Sequence, residues 1–134
     1  MKPRVPTQSE MDELIEFLPK FSAEGFQAVK VPGNATLQKN VITFLEPEYD
    51  SLVCEFFEAA SQEVWCDPHY LSTGAGEMLR NAESLKTASI AEIQSMLTFC
   101  VRGERFCTGH WESILKADKV RQILLRLQEL RSLL

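Results

Sequence analysis

Three stretches of this chain repeat their apolar residues at spacings of three and four, and that periodicity restricts the fold more than any other feature. From about Pro47 to Trp65 the stripe is Tyr49, Leu52, Val53, Phe56, Phe57, Ala60 and Val64. A second begins at Ser89, with Glu92 three residues on in a capping-box pattern, and runs through Ile90, Ile93, Met96, Leu97, Cys100 and Val101 to a stop at Gly103. A third follows Asp118, with Val120, Ile123, Leu124, Leu127, Leu130 and Leu134 on one face. Side chains three and four apart share one side of an α-helix, so each stretch predicts a helix that must bury a face. Period-two alternation, the mark of half-buried strands, is nearly absent.

Weaker signals fill the rest. Thr7 or Ser9 can cap a first helix carrying Met11, Leu14, Ile15 and Leu18, which Pro19 should end. Within residues 20–46, Gln27-Ala28-Val29-Lys30-Val31 could be extended and Val41-Ile42-Thr43-Phe44-Leu45 a helix end or a strand, but both are read as helix or irregular structure, with a turn at Pro32-Gly33-Asn34. Asp67-Pro68 stops the second helix, and a short helical piece is expected around Glu77–Glu83. The expected fold is therefore all-α: a compact irregular or orthogonal bundle of four to five helices, in a single domain spanning residues 1–134.

Composition narrows the function classes. With 45% hydrophobic residues the chain can bury a proper core, and no apolar run is long enough to span a membrane. No apolar segment follows the basic start Met1-Lys2-Pro3-Arg4, so the chain is expected in the cytoplasm. There the four cysteines stay reduced, and Cys54 and Cys100, inside helical patterns, are expected to act as small core residues. Net charge is −5, which argues against nucleic acid. Residues 1–101 carry 7 Lys/Arg against 15 Asp/Glu, whereas residues 102–134 carry 7 against 4. The basic end should pack near the acidic part, within one chain or across a dimer. Leu125 and Leu133 fall off the stripe of the last helix, so that helix is covered on more than one side, by the core or by a second copy in a homodimer.

The most distinctive segment is Arg102-Gly103-Glu104-Arg105-Phe106-Cys107-Thr108-Gly109-His110-Trp111. One reading makes it a helix-junction clamp, with Phe106 and Trp111 in the core, an arginine bonding the exposed carbonyls at the end of the helix, and Glu104 paired with an arginine. Another makes Arg102, Glu104, Arg105 and Trp111 a ligand site, because the planar arginine fork suits carboxylate or phosphate. A third notes two Cys-x-x-His pairs, Cys66/His69 and Cys107/His110, which together would make an acceptable tetrahedral zinc set. Cys107 with His110 as its base is the weakest option, since no third residue orients the pair. No cofactor is implied.

The stretch from Thr98 through Leu130 resembles the C-terminal signature, Arg-x-x-Arg-Phe-x-x-Gly, of a family of small uncharacterised bacterial and archaeal proteins classed as a domain of unknown function. The residues that carry it are Leu97-Thr98, Arg102, Arg105-Phe106, Gly109, Ile123-Leu124 and Arg126-Leu127. Pro47-Glu48-Tyr49, Phe56 and Val64-Trp65-Cys66-Asp67 extend it upstream. The resemblance implies a compact helical fold and brings no activity, substrate or catalytic residue. Cys66, Cys107 and the two histidines are not among its defining positions. The reading that follows is a non-enzymatic interaction or regulatory domain. The alternatives are an anion-binding protein or enzyme built on Arg102, Glu104 and Arg105, and a structural zinc domain.

Overall fold

A computed structural model describes residues 4–31, 33–38, 41–45, 47–106 and 109–133, without the side chains of 34–38, 41–45, 105 and 106. The chain opens with α1 (Gln8–Ile15) and α2 (Phe17–Phe21). Thr7 caps α1 in a reciprocal box: its hydroxyl accepts from the Glu10 N–H, and the Glu10 carboxylate accepts from the Thr7 N–H. Pro19 does not end the helical stretch as expected. The break comes earlier, at Glu16, and Pro19 sits in the first turn of α2, where a missing N–H costs nothing.

The all-α expectation needs correction at residues 29–49. Strands β1 (Val29–Val31), β2 (Asn34–Gln38), β3 (Val41–Leu45) and β4 (Glu48–Tyr49) form two antiparallel pairs, β1 with β4 and β2 with β3. The partners Val31↔Glu48 and Asn34↔Leu45 keep one register, which continues to Gln38↔Val41. The pairs therefore lie along one hairpin, with Gly33 and Pro47 outside either ladder; proline has no N–H to give to a ladder. Helix α3 (Ser51–Ala60) consequently starts later than its apolar stripe suggests: Asp50 caps it through the Leu52 N–H, and Tyr49 belongs to β4.

A single turn of 3-10 helix (Glu63–Trp65) leads to α4 (Ala75–Arg80), α5 (Ala82–Lys86), α6 (Ile90–Phe106), α7 (His110–Lys116) and α8 (Lys119–Ser132). Helix α6 passes through Gly103 rather than stopping there. Among the described residues four helices reach eight residues, namely α1, α3, α6 and α8, so the molecule is mostly helical with a hairpin between α2 and α3. None of the described helices is long and apolar enough to cross a membrane.

The three apolar stripes meet in one core that includes Met11, Leu14, Val53, Phe56, Trp65, Ile93, Leu97, Ile123, Leu124 and Leu127. Cys100 is buried in it, and burial pushes its thiol up to about 12. Cys54 departs from expectation: it is exposed, because the inward positions of α3 are 53, 56, 57 and 60. The core also covers α8, whose neighbours are α1, α2, α5, α6 and α7. The opposite charges of the two chain ends meet here, with Arg131 Nε 3.0 Å from Asp12 Oδ1. Asp118 precedes α8 in a left-handed conformation (φ 61°), and its side chain does not cap the helix as expected.

Candidate functional site

Successive helical residues are turned by about 100°, so Arg102 and Glu104 leave α6 on nearly opposite sides. The structure therefore separates the cluster that the sequence placed together. On one side, Glu104 closes the corner between α6 and α7. Its Oε1 accepts from the Gly109 N–H (2.9 Å) and the Trp111 N–H (3.1 Å), two donors at the start of α7. Its Oε2 accepts from the Tyr49 hydroxyl (2.9 Å). Gly109 turns the chain with φ 93°, a conformation open to glycine. The Trp111 indole donates to the Cys100 carbonyl (2.9 Å) and stacks on Phe57, with ring centroids 4.0 Å apart.

This corner also holds the base of the hairpin. The Tyr49 hydroxyl accepts from the Glu112 N–H (3.1 Å), and the Glu112 carboxylate accepts from the Gly33 N–H (3.1 Å). Burial, then the Glu104 carboxylate, raise the pKa of the Tyr49 hydroxyl, so it stays a donor. Lys116 and then the Gly33 N–H hold Glu112 below the usual carboxylate range. The sequence gives no hint of this network, whose partners lie 55, 63 and 79 residues apart.

Gly103 serves the same corner. A Cβ at this position would run into the His110 ring, so the imidazole rests directly on the helix backbone. His110 Nε2 is buried without a hydrogen-bond partner among the described residues. Burial lowers the His110 pKa, outweighing the Phe99 backbone and the Glu104 charge, which raise it. A neutral imidazole tolerates this place better than a charged one.

Arg102 faces a different structure. The loop after α3 is strapped to α6 by polar side chains that are almost fully buried. Gln94 Nε2 donates to the Val64 carbonyl (2.8 Å), and Thr98 Oγ1 accepts from the Asp67 N–H (2.8 Å), its own proton facing the Gln94 carbonyl (2.8 Å) and the Trp65 carbonyl (3.1 Å). The Ser95 hydroxyl donates to Asp67 Oδ2, while Asp67 Oδ1 accepts from the His69 N–H. These straps bring Cys66 and Tyr70 to the guanidinium: Arg102 Nη2 donates to Cys66 Sγ (2.9 Å), and the guanidinium carbon lies 5.5 Å from the Tyr70 ring centroid. A cleft of about 320 Å3 opens there, lined by Ser61, Cys66, Tyr70, Thr98 and Arg102 with Ala60 and Val101. Among the described residues Arg102 has no carboxylate within ion-pair distance.

The side chain of Arg105 and all of Cys107 lie outside the described residues, so the triad and the four-residue zinc set are seen only in part. Cys66 points at a guanidinium, and His110 rests on Gly103. No group of three His, Cys, Asp or Glu side chains suited to a metal occurs among the described residues.

Fold and site together define a mostly helical protein with a hairpin arm seated on its α6–α7 corner. The chain belongs to a family of unknown function, DUF6508, whose model matches residues 6–132. No curated protein and no solved structure matches it.

Proposed function

We propose that the protein is a non-enzymatic interaction domain of the cytoplasm that associates with a second copy of itself through the outer half of its hairpin. The observation that carries this reading is the pairing of β2 and β3 with each other alone, which leaves the outer edge of each strand without a strand neighbour among the described residues. A two-stranded hairpin is marginal in water and is stabilised when a further strand or a packed face joins it. Free strand edges are also templates for pairing with another chain.

Composition favours a copy of the same chain. The register pairs Ala35 with Phe44 and Leu37 with Ile42, and residues 34–45 carry a single charge, Lys39. Two such arms meet without the repulsion that acidic surfaces of a chain with net charge −5 would bring. The expectation of a dimer through the last helix moves to the arm, because the core already covers Val120, Ile123, Leu124 and Leu127. Among the described residues, the exposed large apolar groups of this end are Leu125 on α8, 40% exposed, and Leu133 just beyond it, 78% exposed.

On this reading, the segment from Arg102 to Trp111 is mainly a seat for the arm through Glu104 and Trp111. Sedimentation velocity from low to high micromolar concentration tests it. A reversible dimer is expected for the native chain, and a monomer of unchanged helix content for Leu37→Lys/Ile42→Lys. A native chain that stays monomeric throughout, or a variant that dimerises equally well, overturns the proposal.

A further inference from the structure

We propose that the cleft at Arg102 is a binding site for a small organic anion of the carboxylate class, separate from the arm and independent of its partner. Three features carry the proposal. The first is the condition of the arginine. A guanidinium has five N–H donors, and the polar partner that Arg102 has within the described residues is a thiol, a weak acceptor. A carboxylate offers two strong acceptors in the geometry of the arginine fork, so an incoming acid would displace Cys66 from Arg102 at little cost.

The second feature is the lining. Among the described residues no acidic side chain borders the cleft, although the chain as a whole is acidic. The Tyr70 side chain lines the cleft beside Arg102, its ring centroid 5.5 Å from the guanidinium carbon. The buried carboxylate nearest in sequence, Asp67, is occupied by Ser95 and the His69 N–H. The third feature is size and character. A volume of about 320 Å3 exceeds the needs of a bare inorganic ion and falls at the lower end of small-molecule sites. Ala60, Val101 and the Tyr70 ring give the ligand an apolar wall, so the fitting species has a carboxylate at one end and a short hydrocarbon or aromatic body at the other.

The test is a nuclear magnetic resonance titration of the full chain with benzoate, succinate and acetate, with inorganic phosphate, benzamide and sodium chloride as controls. Benzoate or succinate should shift the Arg102 Nε–H and the Cys66 and Tyr70 amides saturably, while benzamide and matched chloride should not. Arg102→Lys keeps the charge but loses the fork, and should weaken binding by about tenfold; Arg102→Met should weaken it further. The lysine variant serves alone if the methionine variant does not fold. Shifts reproduced by sodium chloride, phosphate binding as tightly as the organic acids, or unchanged affinity in the lysine variant would overturn the proposal.

Discussion

The two sides of α6 near its C-terminal end treat charge in opposite ways. On the Glu104 side each carboxylate oxygen is engaged, by two N–H groups at the start of α7 and by the Tyr49 hydroxyl. On the Arg102 side the guanidinium meets a thiol and an aromatic ring beside an open cleft. Two residues apart in sequence, these groups do different jobs because the helix turns one away from the other. A satisfied charge of this kind is part of the architecture. An unsatisfied one, beside a loop that its own hydrogen bonds to α6 hold in place, is available to a ligand.

The largest expected effect breaks the satisfied side. Glu104→Ala removes three hydrogen bonds to a charged acceptor and leaves the Tyr49 hydroxyl and two N–H groups unpaired. Stability should fall by about 3 kcal/mol, with a drop in Tm of about 10 °C. Glu104→Gln keeps one acceptor oxygen and should lose roughly half as much. Urea denaturation measures both, and a loss below about 1 kcal/mol in the alanine variant would mean that the corner does not depend on this carboxylate. If Glu104 seats the arm, the alanine variant should also associate less well.

The next effect comes from Gly103→Ala. Alanine ordinarily favours a helix over glycine by about 1 kcal/mol, yet here its Cβ would enter the His110 ring. A net loss of about 2 kcal/mol is expected, since overpacking forces the ring off its place. Adding His110→Ala should recover part of that loss. A single variant as stable as the native chain would show that the ring moves aside freely, and the contrast between the two sides of α6 would weaken.

The sequence made the helical frame legible because α3, α6 and α8 each carry apolar residues on one face over two turns or more. The hairpin escaped because its strands have two to five residues and each strand line holds a proline, so neither alternation nor length marks it. Treating Gly103 as a helix stop had a larger consequence: it placed Arg102, Glu104 and Arg105 together on a loop, where they read as one cluster. With the helix continued through Gly103, the cluster divides. Gln94, Ser95 and Thr98 were unreadable as straps, since each looks like an ordinary polar helical residue until the loop from Val64 to Tyr70 is laid against it. A clamp at this junction was accessible in outline, but with an arginine as its bond to the helix end; that Glu104 is the clamp, bound to the start of α7 and to Tyr49 55 residues away, was not.

A smaller effect should appear with pH. The folded His110 pKa lies below its ordinary value of 6.5, so below about pH 6.5 the unfolded chain binds the proton more readily than the folded one. The stability contributed by neutral His110 is therefore full above pH 6.5 and declines as pH falls toward the folded pKa. His110→Gln should flatten the decline of stability as pH falls below 6.5 relative to the native chain. Parallel profiles for the two proteins would place the proton elsewhere. Glu112 and Asp50, with pKa values lowered in the fold, add their own losses at more acid pH, and comparing the two proteins cancels them.

The smallest effect is the most discriminating. Arg102→Met retains much of the apolar stem, and removes one hydrogen bond to a thiol and one cation–π contact, each worth little at a partly exposed site. A stability loss of about 0.5 kcal/mol is expected, far below that of Glu104→Ala. The straps through Gln94, Ser95 and Thr98 hold Cys66 and Tyr70 without help from Arg102, so the cleft should keep its shape in the variant. If Arg102→Met instead costs as much as Glu104→Ala, Arg102 is a structural bond like its neighbour, and the two sides of α6 differ only in which helix end they secure. A variant that is nearly as stable as the native chain and has lost carboxylate binding would separate architecture from recognition within three residues of one helix.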